Sequence, residues 1–118
     1  MVIMAPIFRC VSRHRGLKMI LSGETIGAKE AQEIGLVNEV YPKEKLEEAT
    51  FAMADTLASK SPITLRLIRE AYYTMSDMEY FKAMEYLREM IAITASTKDC
   101  KEGITAFLER RKPNWKGE

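Results

Sequence analysis

Only one short segment of this 118-residue chain, residues 36–41 (LVNEVY), has the composition of a β-strand, and Pro42 ends it. A single strand leaves its backbone N–H and C=O groups without partners, so it needs a neighbouring strand. The sequence offers no second candidate. The chain is therefore predicted to be mainly α-helical, with one short strand near residues 36–41 whose sheet would belong to a missing segment or to a partner chain.

Helical periodicity dominates the rest of the chain. Gly23 and Gly35 follow two of the periodic segments, Ser61-Pro62 begins another, and Thr97 can cap the last. Residues 76–79 (SDME) fit a capping box, with serine at the cap and glutamate three residues on. The predicted helices cover residues 12–21, 28–34, 43–59, 62–75, about 77–94 and 98–110.

The last two predicted helices have distinct apolar faces. One face has spacings of four and three that are typical of a packing seam for another helix, and it contains Tyr80, Met84, Leu87, Ile91 and Thr94. The final helix is expected to turn four residues inward, Cys100, Ile104, Phe107 and Leu108. The abundant methionines suit either a core or an adaptable oligomer interface.

The length of 118 residues allows one domain at most. We expect residues 1–42 to be a linker to a missing core and residues 43–118 to form a helical bundle. The net charge of +1 gives no field that would attract nucleic acid, and no apolar stretch is long enough to span a bilayer. The first residues lack the basic leader of a signal peptide, and two distant cysteines favour reduced thiols. We therefore expect a cytoplasmic protein with no nucleic-acid or membrane partner.

The residue types needed for catalysis are sparse. The single histidine, His14, lies between Arg13 and Arg15, which disfavours its protonation and makes it a poor general base. Carboxylate pairs that could move protons lie on predicted solvent faces: Glu30 with Glu33, Glu47 with Glu48, and Glu85 with Glu89. No metal-binding spacing and no glycine-rich phosphate loop is present, so we predict neither a catalytic residue nor a metal site.

Basic residues gather at the C-terminal end, at Arg110, Arg111, Lys112 and Lys116. Cations near a helix C-terminus are favoured by the helix dipole. The same cations could instead contact the phosphates of a nucleotide-like ligand, for which arginine is well suited. Spacing alone favours the first interpretation.

Residues 99–113 read D-x-x-E-G-x-x-A-F-x-E-R-R-x-P, which resembles the C-terminal signature of the crotonase (enoyl-CoA hydratase/isomerase) family, D-x-x-E-G-x-x-A-F-x-E-K-R-x-P. Three further segments resemble family landmarks in the same order: residues 4–9 (MAPIFR) leading to 16–23 (GLKMILSG), residues 23–31 (GETIGAKEA) with 34–40 (IGLVNEV), and Ser61-Pro62 at a helix start. The resemblance covers nearly the whole chain and corresponds to the C-terminal part of that family.

The resemblance implies the helical C-terminal region of a crotonase-like fold, with the catalytic ββα spiral core missing. Crotonases assemble as trimers, often stacked into hexamers, and act on acyl-CoA thioesters without a prosthetic group. Their oxyanion-hole and acid/base segments precede anything that matches this chain. Phe107 and Arg110 match family positions that approach the CoA bound by a neighbouring subunit, although the family usually has lysine at the second. Gly103 and Trp115 match packing positions.

These expectations give a first interpretation and an alternative. The first is the C-terminal part of an enoyl-CoA hydratase or isomerase, inactive as this chain alone, with Phe107 and Arg110 as the CoA-contacting residues and no catalytic residue. The alternative is a non-enzymatic helical assembly or binding module.

Overall fold

The computed structural model of the protein describes residues 2–118 and contains seven helices within them, which confirms the mainly α prediction. Contacts divide the chain into two compact units, the first ending at Phe51 and the second running from Ala52 to Glu118. The predicted division at residue 42 stays a prediction. The helices are α1 (Met4–Cys10), α2 (Arg13–Ser22), α3 (Ala28–Glu33), α4 (Lys43–Ala58), α5 (Pro62–Met75), α6 (Tyr80–Ser96) and α7 (Lys98–Leu108).

In the first unit, α1 packs against α2 at a glycine. A Cβ atom on Gly16 would lie 2.9 Å from the Phe8 ring and 3.1 Å from the Val11 side chain, so a larger residue here would displace the Phe8 ring. Gly23 ends α2 in the left-handed conformation, with φ 63°, as its position predicted. Arg15 of α2 forms an ion pair with Glu30 of α3.

The predicted strand at residues 36–41 is wrong: this segment forms bends and backbone without regular secondary structure. The amides of Leu36 and Val37 donate instead to the Ala31 carbonyl, at 2.8 and 3.3 Å, and so close the end of α3. With its first donors used in this way, and no strand among residues 2–118 to pair with, the β-prone segment has no ladder to join.

In the second unit, α5, α6 and α7 pack around a small core that includes Leu67, Ala71 and Ala106. Ser61 caps α5 by accepting a hydrogen bond from the Thr64 amide at 3.2 Å, as predicted. Thr97 likewise caps α7 through the Cys100 amide at 3.1 Å.

The predicted capping box at residues 76–79 is wrong. Ser76 ends α5 and donates its hydroxyl to the Tyr72 carbonyl at 2.6 Å. Glu79 is the N-cap of α6 and accepts from the amides of Phe81 and Lys82 at 3.2 and 3.4 Å. A carboxylate fills the cap position because it accepts these amides directly and suits the positive end of the helix dipole.

Candidate functional site

The first turn of α7 contains a buried carboxylate. Asp99 is 1% exposed, and its oxygens accept the Ser61 hydroxyl at 2.7 Å and the Lys116 amide at 2.8 Å. The Gly117 amide donates to both oxygens at 3.1 and 3.2 Å. The Asp99 amide in turn donates to the Glu118 carbonyl at 3.0 Å. One side chain therefore ties the start of α5 and the end of the chain to α7.

Burial works to raise the pKa of Asp99, but hydrogen bonds from the Lys116 amide, the Ser61 hydroxyl and the following amides outweigh it. The pKa therefore lies below its usual value, and the group is ionised at neutral pH. A saturated, ionised carboxylate is a structural acceptor and a poor general acid.

A second carboxylate holds the chain after α7. Glu102 binds Arg111 through two parallel bonds, Nη1 to Oε1 at 2.6 Å and Nη2 to Oε2 at 2.9 Å. Its Oε1 also accepts the Asn114 amide at 2.7 Å. Arg111 Nε donates to Glu109 at 2.6 Å. The Arg111 hydrogen bonds, followed by the Asn114 amide, lower the pKa of Glu102 to about 2.

Trp115 completes this arrangement, which we name the tail latch (Ser61, Asp99, Glu102, Arg111 and Trp115). A Cβ atom on Gly103 would lie 3.2 Å from the indole ring, so the ring packs directly on the glycine. The indole N–H donates to the Ser59 carbonyl at 2.7 Å. This agrees with the packing roles that the resemblance implied for both residues.

The helix ends earlier than predicted, at Leu108 rather than at residue 110. Arg110 is left-handed, with φ 54°, the only non-glycine residue of positive φ in the part of the chain that the structure describes. Its amide donates to the Phe107 carbonyl at 3.2 Å, and the Arg111 amide donates to Ala106 at 3.0 Å. This pattern is a Schellman-type ending, in which the left-handed position usually belongs to glycine.

The exposed side of α7 is apolar. Phe107 is 81% exposed, Leu108 74% and Ile104 59%. They line a groove of about 560 Å³ between α5 and α7, which Asp99 and Trp115 of the tail latch also border. A second groove, between α5 and α6, shares Ile68 and Cys100 with it. We name this continuous surface the apolar face (Ile68, Ile91, Cys100, Ile104, Phe107 and Leu108).

The prediction that Cys100, Ile104, Phe107 and Leu108 face inward is therefore wrong for the last three, and Cys100 is half-buried. The packed side of α7 is formed by Asp99 and Ala106, which are each 1% exposed. Because Ala106 is small and the Asp99 carboxylate accepts hydrogen bonds from Ser61 and the C-terminal residues, other segments of this chain approach α7 closely on this side. The larger apolar side chains consequently lie on the uncovered side.

The other candidate groups stay apart from this site. His14 is exposed on α2, and the glutamates of the candidate pairs are exposed apart from Glu30, which is half-buried beside Arg15. Within residues 2–118, no group of His, Cys, Asp and Glu is arranged to hold a metal ion. No helix in this described range has the length and apolar character needed to cross a bilayer.

Phe107 and Arg110 are both exposed at the end of α7, and no acidic side chain in the described chain pairs with Arg110. Their role in binding stays a prediction. Sequence reasoning did not identify the pairing of Ser61 with Asp99, because polar residues 38 positions apart show no periodicity. The only signal for it was the aspartate that opens the family signature.

Comparison with known proteins agrees with the family resemblance found in the sequence. The family model described as enoyl-CoA hydratase/isomerase matches residues 1–118. The chain is 34% identical over 111 residues to 2,3-dehydroadipyl-CoA hydratase of Escherichia coli, covering 94% of this chain and 44% of that protein. It is 38% identical over 112 residues to a probable enoyl-CoA hydratase of Bacillus subtilis, covering 93% and 43%. The chain thus spans less than half the length of these relatives.

Solved structures match the fold over a similar share. An enoyl-CoA hydratase from Bacillus anthracis superposes with a TM-score of 0.89 at 35% identity, covering 93% of this chain and 43% of that one. Human enoyl-CoA hydratase domain-containing protein 3 gives a TM-score of 0.90 at 33% identity, covering 95% and 44%. The helices described above therefore correspond to fewer than half of the residues in those folds.

Proposed function

This chain belongs to the enoyl-CoA hydratase/isomerase family, and we propose that it is the helical C-terminal part of an acyl-CoA enzyme, with the end of α7 as its contact to CoA. The reaction proposed for the whole enzyme is addition of water to an enoyl-CoA, or a proton shift, through an enolate. CoA thioester is the substrate, and the proposal assigns no prosthetic group.

The exposed end of α7 carries this proposal. Phe107 offers an uncovered ring that can pack on a flat apolar or aromatic group. Three residues later, Arg110 offers a guanidinium that no carboxylate neutralises within residues 2–118, which suits a phosphate. Arg111, in contrast, is engaged by Glu102 and Glu109. The contact to CoA is therefore assigned to Phe107 and Arg110.

We propose that this chain alone does not turn over substrate. Asp99, the carboxylate that borders the groove, is saturated by hydrogen bonds, and Glu102, the next carboxylate on α7, is bound to the residues after the helix. The pKa of Glu102 is about 2, far from the value near the working pH that a general acid or base needs. Incubation with crotonyl-CoA at stoichiometric protein should give no loss of the enoyl thioester above background, and clear turnover would contradict the proposal.

Binding of CoA, measured by isothermal titration calorimetry, tests the contact directly. Arg110→Gln and Phe107→Ala should each weaken binding by about five- to tenfold, while Lys112→Gln, which removes a neighbouring exposed charge, should change it less than twofold. Equal effects of Arg110→Gln and Lys112→Gln would show that only net charge matters and would remove the assigned contact.

The apolar face favours a second candidate function, a non-enzymatic assembly module. Exposed large apolar side chains in a continuous patch are typical of surfaces that bind another protein. Within the first proposal the same face lies against other parts of a trimer or hexamer. Light scattering after size exclusion should show a defined oligomer, and a monomer without CoA affinity would count against both functions.

The compartment is also a proposal. We place the chain in the cytoplasm, while relatives in Dictyostelium discoideum and Pongo abelii are described as mitochondrial. Fractionation of cells that express the tagged protein would decide between these compartments.

A further inference from the structure

Arg110 occupies a backbone conformation that arginine rarely adopts. Its φ of 54° lies in the left-handed region, where a Cβ atom is disfavoured and where glycine usually ends a helix. A non-glycine residue persists there when its surroundings hold it, and such residues cluster at functional sites. The conformation therefore raises two questions: what fixes it, and what the side chain gains.

The residues after Arg110 supply the holding force. The Arg111 amide bonds back to Ala106 at 3.0 Å, which closes the turn. The Arg111 guanidinium donates to both oxygens of Glu102 at 2.6 and 2.9 Å, and the Asn114 amide donates to the same carboxylate at 2.7 Å. The Glu102 side chain, nine residues before Arg111, therefore holds the residues that follow the turn.

The two neighbouring arginines have different interactions. Arg111 forms ion pairs with Glu102 and Glu109 and so stabilises the turn. Arg110 is exposed and has no acidic partner in the chain as described. A glycine at position 110 would relieve the backbone but would present no charge.

We infer that Glu102 is a positioning residue for Arg110: its carboxylate holds the left-handed turn that presents the Arg110 guanidinium to an anionic group. The inference rests on the proposed function in that the anionic group is a phosphate of CoA. It adds that the recognition geometry is set by a glutamate that does not itself touch the ligand.

Hydrogen exchange of the 118-residue chain tests the turn without any ligand. In Glu102→Gln, the Arg111 amide should lose at least about tenfold of its protection, while the amides of α5 and α6 keep theirs. Glu109→Gln is the matched control, since it also removes a carboxylate from Arg111 but leaves the Asn114 contact, and it should stay within about threefold of wild type. Equal losses in both variants, unchanged protection in Glu102→Gln, or loss spread over α5 and α6 would each overturn the inference.

A second substitution separates positioning from folding. Adding Arg110→Gly to Glu102→Gln should restore protection of the Arg111 amide, because glycine adopts the turn unaided. CoA binding should stay as weak as in Arg110→Gln. Recovery of CoA affinity in the double variant would overturn the role of the Arg110 side chain. If wild type does not bind CoA, the proposed CoA contact fails, while the exchange comparison still decides whether Glu102 holds the turn.

Discussion

The two sides of α7 differ in burial and in hydrogen bonding. On one side, Asp99 and Ala106 are almost fully buried, and Glu102 is saturated by the tail. On the other side, Phe107 and Leu108 are exposed to more than 70%. Both sides come from the same eleven-residue helix and from the same signature.

The difference separates residues that fold the chain from residues left for contact. Asp99, Glu102 and Arg111 of the signature belong to the tail latch, and Gly103 is the residue on which its Trp115 packs. Phe107 and Arg110, in the same signature, contribute little to it. One short motif therefore combines residues of two kinds that spacing alone does not distinguish.

Replacement of the buried carboxylate should cause the largest loss of stability. In Asp99→Ala the Ser61 hydroxyl and the amides of Lys116 and Gly117 lose their acceptor in a buried place. Unsatisfied buried donors are costly, so we expect the Tm from circular dichroism to fall on the order of 10–20 °C. The exposed Asp55→Ala should shift it by less than about 2 °C. A similar shift in both variants would show that the latch does not stabilise the fold.

The contact between Trp115 and Gly103 should give the next largest effect. Trp115→Ala removes a half-buried ring and the bond to Ser59, which should cost about 2 kcal/mol in urea unfolding. In that background Gly103→Ala should stabilise α7 by up to about 1 kcal/mol through helix propensity. With Trp115 present, the ring 3.2 Å from the new Cβ should cancel this gain. Equal effects of Gly103→Ala in both backgrounds would exclude the contact.

Acid should weaken the latch before it affects the apolar face. The pKa of Glu102 falls from 4.5 to about 2 on folding, and the pKa of Asp99 is also lowered. The unfolded chain therefore takes up protons first, so the stabilisation is complete above about pH 4.5 and is lost as pH falls towards 2. Urea midpoints should decrease between pH 5 and pH 3, with a smaller decrease in Glu102→Gln. A flat profile in wild type would contradict these ionisation states.

Local signals in the sequence predicted most helix positions and ends. Gly23, Ser61 with Pro62, and Thr97 act through the few residues next to them, and each marks an observed boundary. The segment at 36–41 has β-forming residues, but a strand depends on partners from elsewhere, and the amides of Leu36 and Val37 close α3 instead. The β-propensity of this segment therefore did not predict its structure.

The candidate site was predictable only in part. The resemblance pointed to Phe107 and Arg110 by position, and the structure adds that both are exposed and that Arg110 is left-handed. The inward orientation predicted for Phe107 failed because periodicity identifies an apolar stripe but not what covers it. The tail latch depends on polar contacts across up to 56 positions, as between Trp115 and Ser59, for which periodicity gives no signal.

The central claim is that α7 has a folding side and a separate contact side, and thermal unfolding of Phe107→Ala, run beside Asp99→Ala in dilute solution, tests it most directly. Because the Phe107 ring is 81% exposed, we expect the Tm of Phe107→Ala to lie within about 2 °C of wild type. A drop on the order of 10 °C, as expected for a buried phenylalanine, would contradict the separation of the two sides.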